Sequence, residues 1–265
     1  MTTATHERKP RLDGKVAIVT GAGSRGDIVG NGQATAILFA YEGAEVLLVD
    51  TDEDRVKGTM DAIESHGGTA SVFIGDVTSA ESCRDIVRAA LDRYGRLDIL
   101  HNNVGIGGAG NVVEVAEEVW DQVMEVNVKS MMLTGKYAVP AMAATGGGSI
   151  INISSISAIR PRGLTAYTVS KGGVMALTQG MAIDHAAQGI RVNCILPGPV
   201  YSSMVAPGMS KERRDTRRSS SPLGVEGTPW DIGWAAVYLA SDEAKWVTGV
   251  AFPVDGGVTL VSPPR

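Results

Sequence analysis

The chain alternates short, almost wholly apolar runs with longer stretches of mixed polarity. Lys15 to Thr20, Ala44 to Asp50, Ser71 to Gly75, Leu97 to His101, Ser149 to Ser154, Arg191 to Leu196 and Val250 to Val254 are runs of the first kind. Short apolar runs bounded by turn residues read as strands buried on both faces, the pattern of a parallel sheet. Between them Gly32 to Tyr41, Asp54 to His66, a stretch ending near Tyr94, Glu117 to Met132, Tyr137 to Ala144, Ala166 to Gln188 and Thr228 to Ala240 read as helices. Thr78 and Glu81 have the spacing of a capping box for the third helix. Thr228, Pro229 and Asp231 supply an N-cap residue, a proline at the first helical position and an early acid. Such alternation requires right-handed crossovers and helices on both faces, so the expected fold class is α/β, a doubly wound, mostly parallel sheet of seven strands. The expected organisation is one domain over residues 12–260, with polar tails at 1–11 and 261–265. Ligands of such a sheet bind at the carboxyl ends of its strands.

Composition narrows the function classes. With 265 residues, 44% of them hydrophobic, the chain can bury one sizeable core. A formal net charge of −5 provides no broad basic surface, so no nucleic-acid partner is expected. No apolar run is long enough to span a bilayer, and Met1 to Arg11 is polar without a signal-peptide core. The expectation is therefore a cytoplasmic protein without a membrane partner. Cys83 and Cys194 lack metal-ligand spacing, so neither a metal site nor a disulfide framework is expected. The 33 glycines show no repeat period and point to tight turns or close backbone approaches to a ligand.

The first such place follows the first strand, where Thr20, Gly21, Ala22, Gly23, Ser24, Arg25, Gly26 leads on to Gly30, Asn31 and Gly32 at the start of a helix. Unpaired amides and a partial positive charge at a helix N-terminus suit a pyrophosphate, and glycine admits it without a Cβ clash. Such loops also serve simply as turns. Asp50, ending the second strand, discriminates. Its carboxylate can accept hydrogen bonds from adenosine ribose hydroxyls and repels a 2′-phosphate, which favours NAD over NADP. Arg25 could attract such a phosphate, and Asp50 as a solvated turn acid is the plain alternative.

Tyr167 and Lys171 stand at i and i+4, so a helix places them on one face, where an ammonium can lower the phenol's pKa. Upstream lie Ser154 and Ser155 at a strand end, Asn127 in a helix, and Asn102, Asn103, Val104, Gly105 after the fourth strand. In this order, from about Leu12 to Gly257, the chain resembles the short-chain dehydrogenase/reductase family, which implies a Rossmann fold. The resemblance implies that Tyr167 is the general acid/base, that Lys171 holds the nicotinamide ribose and lowers the tyrosine pKa, and that Ser155 polarises the substrate oxygen. It implies that Asn127 holds a water of the proton relay. It further implies that Asp76 and Val77 face adenine, that Asn103 and Gly105 line the cofactor, and that Pro197, Gly198, Val200 and Ser202 border the nicotinamide. A homotetramer built on the helices near Glu117 to Ala144 and Tyr167 to Gln188 is implied as well.

Two departures stand out. Gly21 and Gly30 enclose eight residues, Ala22 to Val29, five more than the family's usual pattern. The extra residues, Arg25 to Val29, either lie against the bound dinucleotide, with Arg25 and Asp27 making contacts, or form an exposed insertion without energetic role. The family's serine-to-tyrosine spacing selects Ser154, whereas strand register selects Ser155, the reading preferred here.

Tyr201 to Gly227 occupies the place of the family's substrate-covering segment, about residues 200–227. Lys211, Arg213, Arg214, Arg217 and Arg218 stand there against Glu212 and Asp215, either as a solvated helical face or as an attractor of an anionic substrate. Arg160 and Arg162 sit nearer the expected pocket mouth. Three functions fit: an NAD-dependent dehydrogenase or reductase acting on a small secondary alcohol or ketone, an acyl-carrier ketoreductase using NADPH, and a non-catalytic NAD-binding regulator. The first leads, because every catalytic position is filled and Asp50 opposes NADPH.

Overall fold

Residues 9–261 are described in a computed structural model. Residues 1–8 and 262–265, the greater part of the two expected tails, lie outside the described residues. Strands β1 (Val16–Thr20), β2 (Glu45–Asp50), β3 (Thr69–Ile74), β4 (Ile99–Asn102), β5 (Gly148–Ile153), β6 (Ile190–Pro197) and β7 (Ala251–Val254) form one seven-stranded sheet. Its order is β3-β2-β1-β4-β5-β6-β7, and every neighbouring pair is parallel. The chain winds outward from β1 to β3, then restarts at β4 on the other side of β1. That reversal opens a crevice beyond the carboxyl ends of β1 and β4.

The helices are α1 (Asn31–Tyr41), α2 (Glu53–Ser65), α3 (Ala80–Tyr94), α4 (Glu117–Met124), α5 (Ser130–Ala144), α6 (Thr165–Asp184), α7 (Lys211–Ser219) and α8 (Pro229–Ala240). Alternation along each strand divides the core into two layers. Val46, Leu48, Ile99, Ile151 and Ile195 face Phe39 of α1 and Ile232 and Val237 of α8. Ile18, Leu47, Val49, Leu100 and Ile150 face Ile86 of α3 and Leu133 and Met142 of α5. All of these are buried, each contributing about 1.5–3 kcal/mol of transfer free energy, which fixes the strand ends that carry the site.

Two helical expectations need correction. A break between Met132 and Tyr137 is absent; α5 runs through it, and the irregularity falls earlier, in a π-helical turn at Glu125–Lys129. The third helix is capped by Ser79, whose Oγ accepts from Ser82 N at 3.3 Å, not by Thr78 and Glu81. Thr78 instead donates its hydroxyl to Asp76 Oδ1 at 2.8 Å, a local turn that outcompetes the cap. At α8 the expected start holds: Thr228 N and Oγ1 both donate to Asp231 Oδ2, each at 2.7 Å.

Candidate active site

The glycine loop is shaped by backbone crowding. A Cβ on Gly32 would penetrate the Gly21 carbonyl oxygen, and one on Gly21, at φ +63°, would lie 2.9 Å from Asn103 Nδ2, so both positions require glycine. Asn103 ties β4 to this turn, its N–H donating to Thr20 Oγ1 at 3.1 Å and its Nδ2 to the Gly21 carbonyl at 3.0 Å. Asp50 sits where β2 ends, with Oδ2 accepting from Gly23 N at 3.0 Å and Oδ1 from Thr51 N at 2.9 Å. Gly30 precedes α1, and the Asn31 side-chain oxygen is buried without a hydrogen-bond partner among the described residues. An orphaned polar atom, a Cβ-free cradle and a helix N-terminus meeting a strand-end carboxylate fit a dinucleotide.

The five-residue insertion divides in two. Arg25, Gly26 and Asp27 are an exposed tip, and neither charged side chain has a hydrogen bond or ion pair among the described residues. Its base is anchored: Ser24 Oγ donates to the Ile28 carbonyl, and the Val29 carbonyl accepts from Ser203 N at 3.2 Å. No sequence signal marked Ser203.

Four side chains converge at the ends of β4 and β5. Asn127 lies in the π turn and is wholly buried. Its Oδ1 accepts from Ile106 N at 2.7 Å, and its Nδ2 donates to the Ile106 carbonyl and to Ser170 Oγ, each at 2.9 Å. The π turn widens the helix by one residue and so aims Asn127 at the loop after β4. A Cβ on Gly105 would lie 3.2 Å from Lys171 Nζ and 3.3 Å from Asn127 Oδ1, so glycine lets the backbone run between them. Ser170, unmarked in the sequence reading, also donates to the Tyr167 carbonyl at 2.8 Å.

The two serines divide cleanly. Ser154 Oγ donates to the Lys171 carbonyl at 2.7 Å and is buried, whereas Ser155 stands beside the Tyr167 phenol and accepts from Ser157 N at 3.1 Å. Lys171 Nζ lies 5.7 Å from the Tyr167 ring centroid and donates to the Ile153 carbonyl at 2.9 Å. Burial lowers the Lys171 ammonium to about 8, partly opposed by Cys194. Burial raises the Tyr167 phenol, and the neighbouring Ser155 hydroxyl only partly offsets this. The net shift is thus upward, contrary to the lowering expected from Lys171, because desolvation dominates.

The remaining positions frame this centre. Gly198 N donates to the Val254 carbonyl at 2.9 Å, and a Cβ there would lie 2.5 Å from Asp255 Cα, so the turn after Pro197 needs glycine. Val200 pairs with Gly227, closing the base of the covering segment, and Ser202 is buried just beyond. Asp76 is exposed at the end of β3, but the Val77 side chain is 5% exposed and packs into the core with Cys83 and Ile86. Only the Val77 backbone is left to face a ligand. Cys83 and Cys194 are free and buried, each thiol pushed up to about 11 by burial, the reverse of a reactive thiolate. No helix among the described residues is long and apolar enough to cross a membrane.

The geometry has known counterparts. A family profile described as enoyl-(acyl carrier protein) reductase matches residues 28–259. The chain is 39% identical, over 93% of its length and 97% of the relative's, to 2,5-dichloro-2,5-cyclohexadiene-1,4-diol dehydrogenase of Sphingobium indicum. A Burkholderia xenovorans structure assigned to the short-chain dehydrogenases/reductases superposes with a TM-score of 0.92 at 38% identity, covering 96% of this chain and all of that one. A 7α-hydroxysteroid dehydrogenase complexed with NADH and 7-oxo glycochenodeoxycholic acid superposes with a TM-score of 0.88 at 34% identity, covering 94% and 96%. With family profile, sequence identity and superposition all in agreement, the chain belongs to the short-chain dehydrogenase/reductase family of nicotinamide-dependent oxidoreductases, acting on alcohols and ketones.

Proposed function

We propose that the chain is an NAD-dependent secondary-alcohol dehydrogenase or ketone reductase with Tyr167 as its general acid/base. The observation that carries this reading is the convergence of Tyr167, Ser155, Lys171 and Asn127 on one strand-end crevice. Gly21, Gly30, Asn31, Gly32, Asp50, Asn103 and Gly105 hold the dinucleotide. Asp76 and the Val77 backbone border its adenine, and Pro197, Gly198, Val200 and Ser202 border its nicotinamide. When bound, the nicotinamide supplies the hydride acceptor or donor.

The chain's residues handle the proton. Ser155, beside the Tyr167 phenol, shares with it the substrate oxygen, so the phenol proton moves to a developing alkoxide in reduction and is taken from the alcohol in oxidation. The Lys171 ammonium favours the phenolate by charge. Asn127, whose amide is saturated by Ile106 and Ser170, fixes the loop past which a proton relay would run. Asp50 supports NAD, because an NADPH-dependent acyl-carrier reduction would set a 2′-phosphate beside that carboxylate.

Exposed Met132 on α5 and Val169 and Ile183 on α6 support a homotetramer formed through these helices, testable by light scattering at micromolar concentration. Residues 12–260 form the single domain, with 200–227 covering the substrate, and its place is the cytoplasm. The deciding experiment assays a panel of secondary alcohols and ketones with both cofactors. Turnover with NAD(H) exceeding that with NADP(H) is expected; NADP-only turnover, or NAD binding without any turnover, would refute the reading.

A further inference from the structure

The covering segment and the loop between Ser155 and Tyr167 carry seven cationic side chains against three carboxylates, in a chain whose formal net charge is −5. Three of these cations are paired on the outer side of α7. Lys211 and Arg218 pair with Asp215 at 3.0 and 3.5 Å, and Arg214 pairs with Glu226 at 2.5 Å while lying 3.8 Å from the Tyr201 ring centroid. These are solvated surface pairs, and they account for three of the cations.

Arg217 is different. It projects from another face of α7 and is half-buried, and the only hydrogen bond of its side chain among the described residues is a donation from Nη2 to the Val200 carbonyl at 3.1 Å. Burial lowers its pKa, and the guanidiniums of Arg162 and Arg213 lower it further; of the carboxylates only Glu226, held by Arg214, opposes them. Arg160, two residues before Arg162, has a buried Nη1 with no hydrogen-bond partner among the described residues. Arg160, Arg162 and Arg217 form no ion pair among the described residues. Arg162 is exposed, whereas a guanidinium donor that is dry and unpaired, as Arg160 Nη1 is, is costly, and a neighbouring like charge adds to that cost.

Their place in the fold says what would relieve this. Arg160 and Arg162 lie on the chain leading from Ser155 to Tyr167, and Arg217 rests on Val200, just past the Pro197–Gly198 turn. Both segments flank the pair that would grip the substrate oxygen.

We propose that Arg160, Arg162 and Arg217 form an anion-binding subsite, so that the substrate is an alcohol or ketone carrying a terminal anionic group such as a carboxylate. The subsite rests on the oxidoreductase reading above. It positions the far end of the substrate and so acts on KM more than on kcat.

The test uses methyl ketones with a carboxylate two to five carbons from the carbonyl, each paired with its primary amide. The best acid should exceed its amide in kcat/KM by roughly tenfold or more, and the ratio should approach one in the Arg162→Gln, Arg217→Gln double variant. Lys211→Gln, on the paired outer face, should keep the wild-type ratio. A wild-type ratio near one, or one that survives the double substitution, overturns the subsite while leaving the oxidoreductase reading intact. If neither acid nor amide is reduced with either cofactor, that reading falls and the subsite with it. A second arm needs no turnover: sulfate should raise the Tm of the NADH complex beyond chloride at equal ionic strength, and the double variant should lose the difference. Equal shifts in sulfate and chloride for the wild type would also overturn the subsite.

Discussion

Asn127 and Ile106 are joined by a reciprocal pair of hydrogen bonds, Ile106 N to Oδ1 at 2.7 Å and Nδ2 to the Ile106 carbonyl at 2.9 Å. One side-chain amide thereby stands in for a partner strand, locking the loop after β4 to the π turn. Asn127→Asp keeps the acceptor but loses both Nδ2 donations and turns an anion toward a carbonyl. Urea unfolding should show a loss of about 2–4 kcal/mol, and turnover should fall at least roughly tenfold. An unchanged midpoint would mean that the bonds contribute nothing net.

The raised Tyr167 phenol sets a direction for pH dependence. Ketone reduction needs the proton in place and should be flat through neutrality. Alcohol oxidation needs the phenolate and should climb toward alkaline pH. Tyr167→Phe should remove the alkaline limb and lower kcat by roughly 10²-fold or more, while NADH still titrates. Profiles of kcat/KM in both directions for the two proteins decide the matter.

Ser154 and Ser155 should separate by phenotype. Ser155→Ala removes the hydroxyl beside the Tyr167 phenol, so activity should drop by roughly 10-fold or more with little change in stability. Ser154→Ala breaks a buried bond to the Lys171 carbonyl and should cost about 1 kcal/mol of stability. Thermal melts and turnover measured on both variants would expose a reversed assignment.

Asp50 serves both the glycine turn, through Gly23, and cofactor choice. Asp50→Ser retains a small acceptor and removes the charge, so the ratio of NADP to NAD affinity should rise by roughly tenfold. Fluorescence titration with NADH and NADPH measures it, and a constant ratio would assign cofactor choice elsewhere.

His101 is wholly buried, edge-on to Phe39 at 6.0 Å, with neither ring nitrogen hydrogen-bonded among the described residues. Burial lowers its pKa from 6.5 to about 3. The unfolded chain therefore binds a proton that the native state refuses. Stability is fully present above pH 6.5 and is lost as pH falls from there toward 3, at about 1.4 kcal/mol per pH unit. Between pH 7.5 and 5 the wild type should lose about 2 kcal/mol more than His101→Leu in urea titrations. Parallel losses would show that His101 finds a proton-accepting partner.

Strand ends, the glycine turn and the candidate side chains that the fold brings together are readable in the chain because each rests on local chemistry. Parallel strands demand apolar runs, and Gly21 and Gly32 are the residues that their mutual crowding permits. The π turn was not readable, since nothing in Glu125 to Lys129 departs from ordinary helical composition; its cause is the distant Ile106 backbone. Thr78 misled because a cap and an Asx turn use the same residue types, and Asp76 supplied the nearer acceptor. Val77 gave no hint that its side chain belongs to the core. Arg217 and Arg218 are adjacent and chemically alike, and only the docking of α7 on Val200 separates a buried cation from a solvated one.

The bond between Val29 and Ser203 makes the lengthened glycine turn a mooring for the covering segment. Because Val200 and Gly227 are also stitched together, residues 201–226 form a closed loop whose base is fixed at two points, one of them supplied by the insertion. A covering segment grafted from a relative with the shorter turn would arrive without that second point. The two stretches, 24–30 and 200–227, are therefore a single heritable module, to be exchanged together in chimaeras and expected to lengthen or shorten in concert as the family diverges.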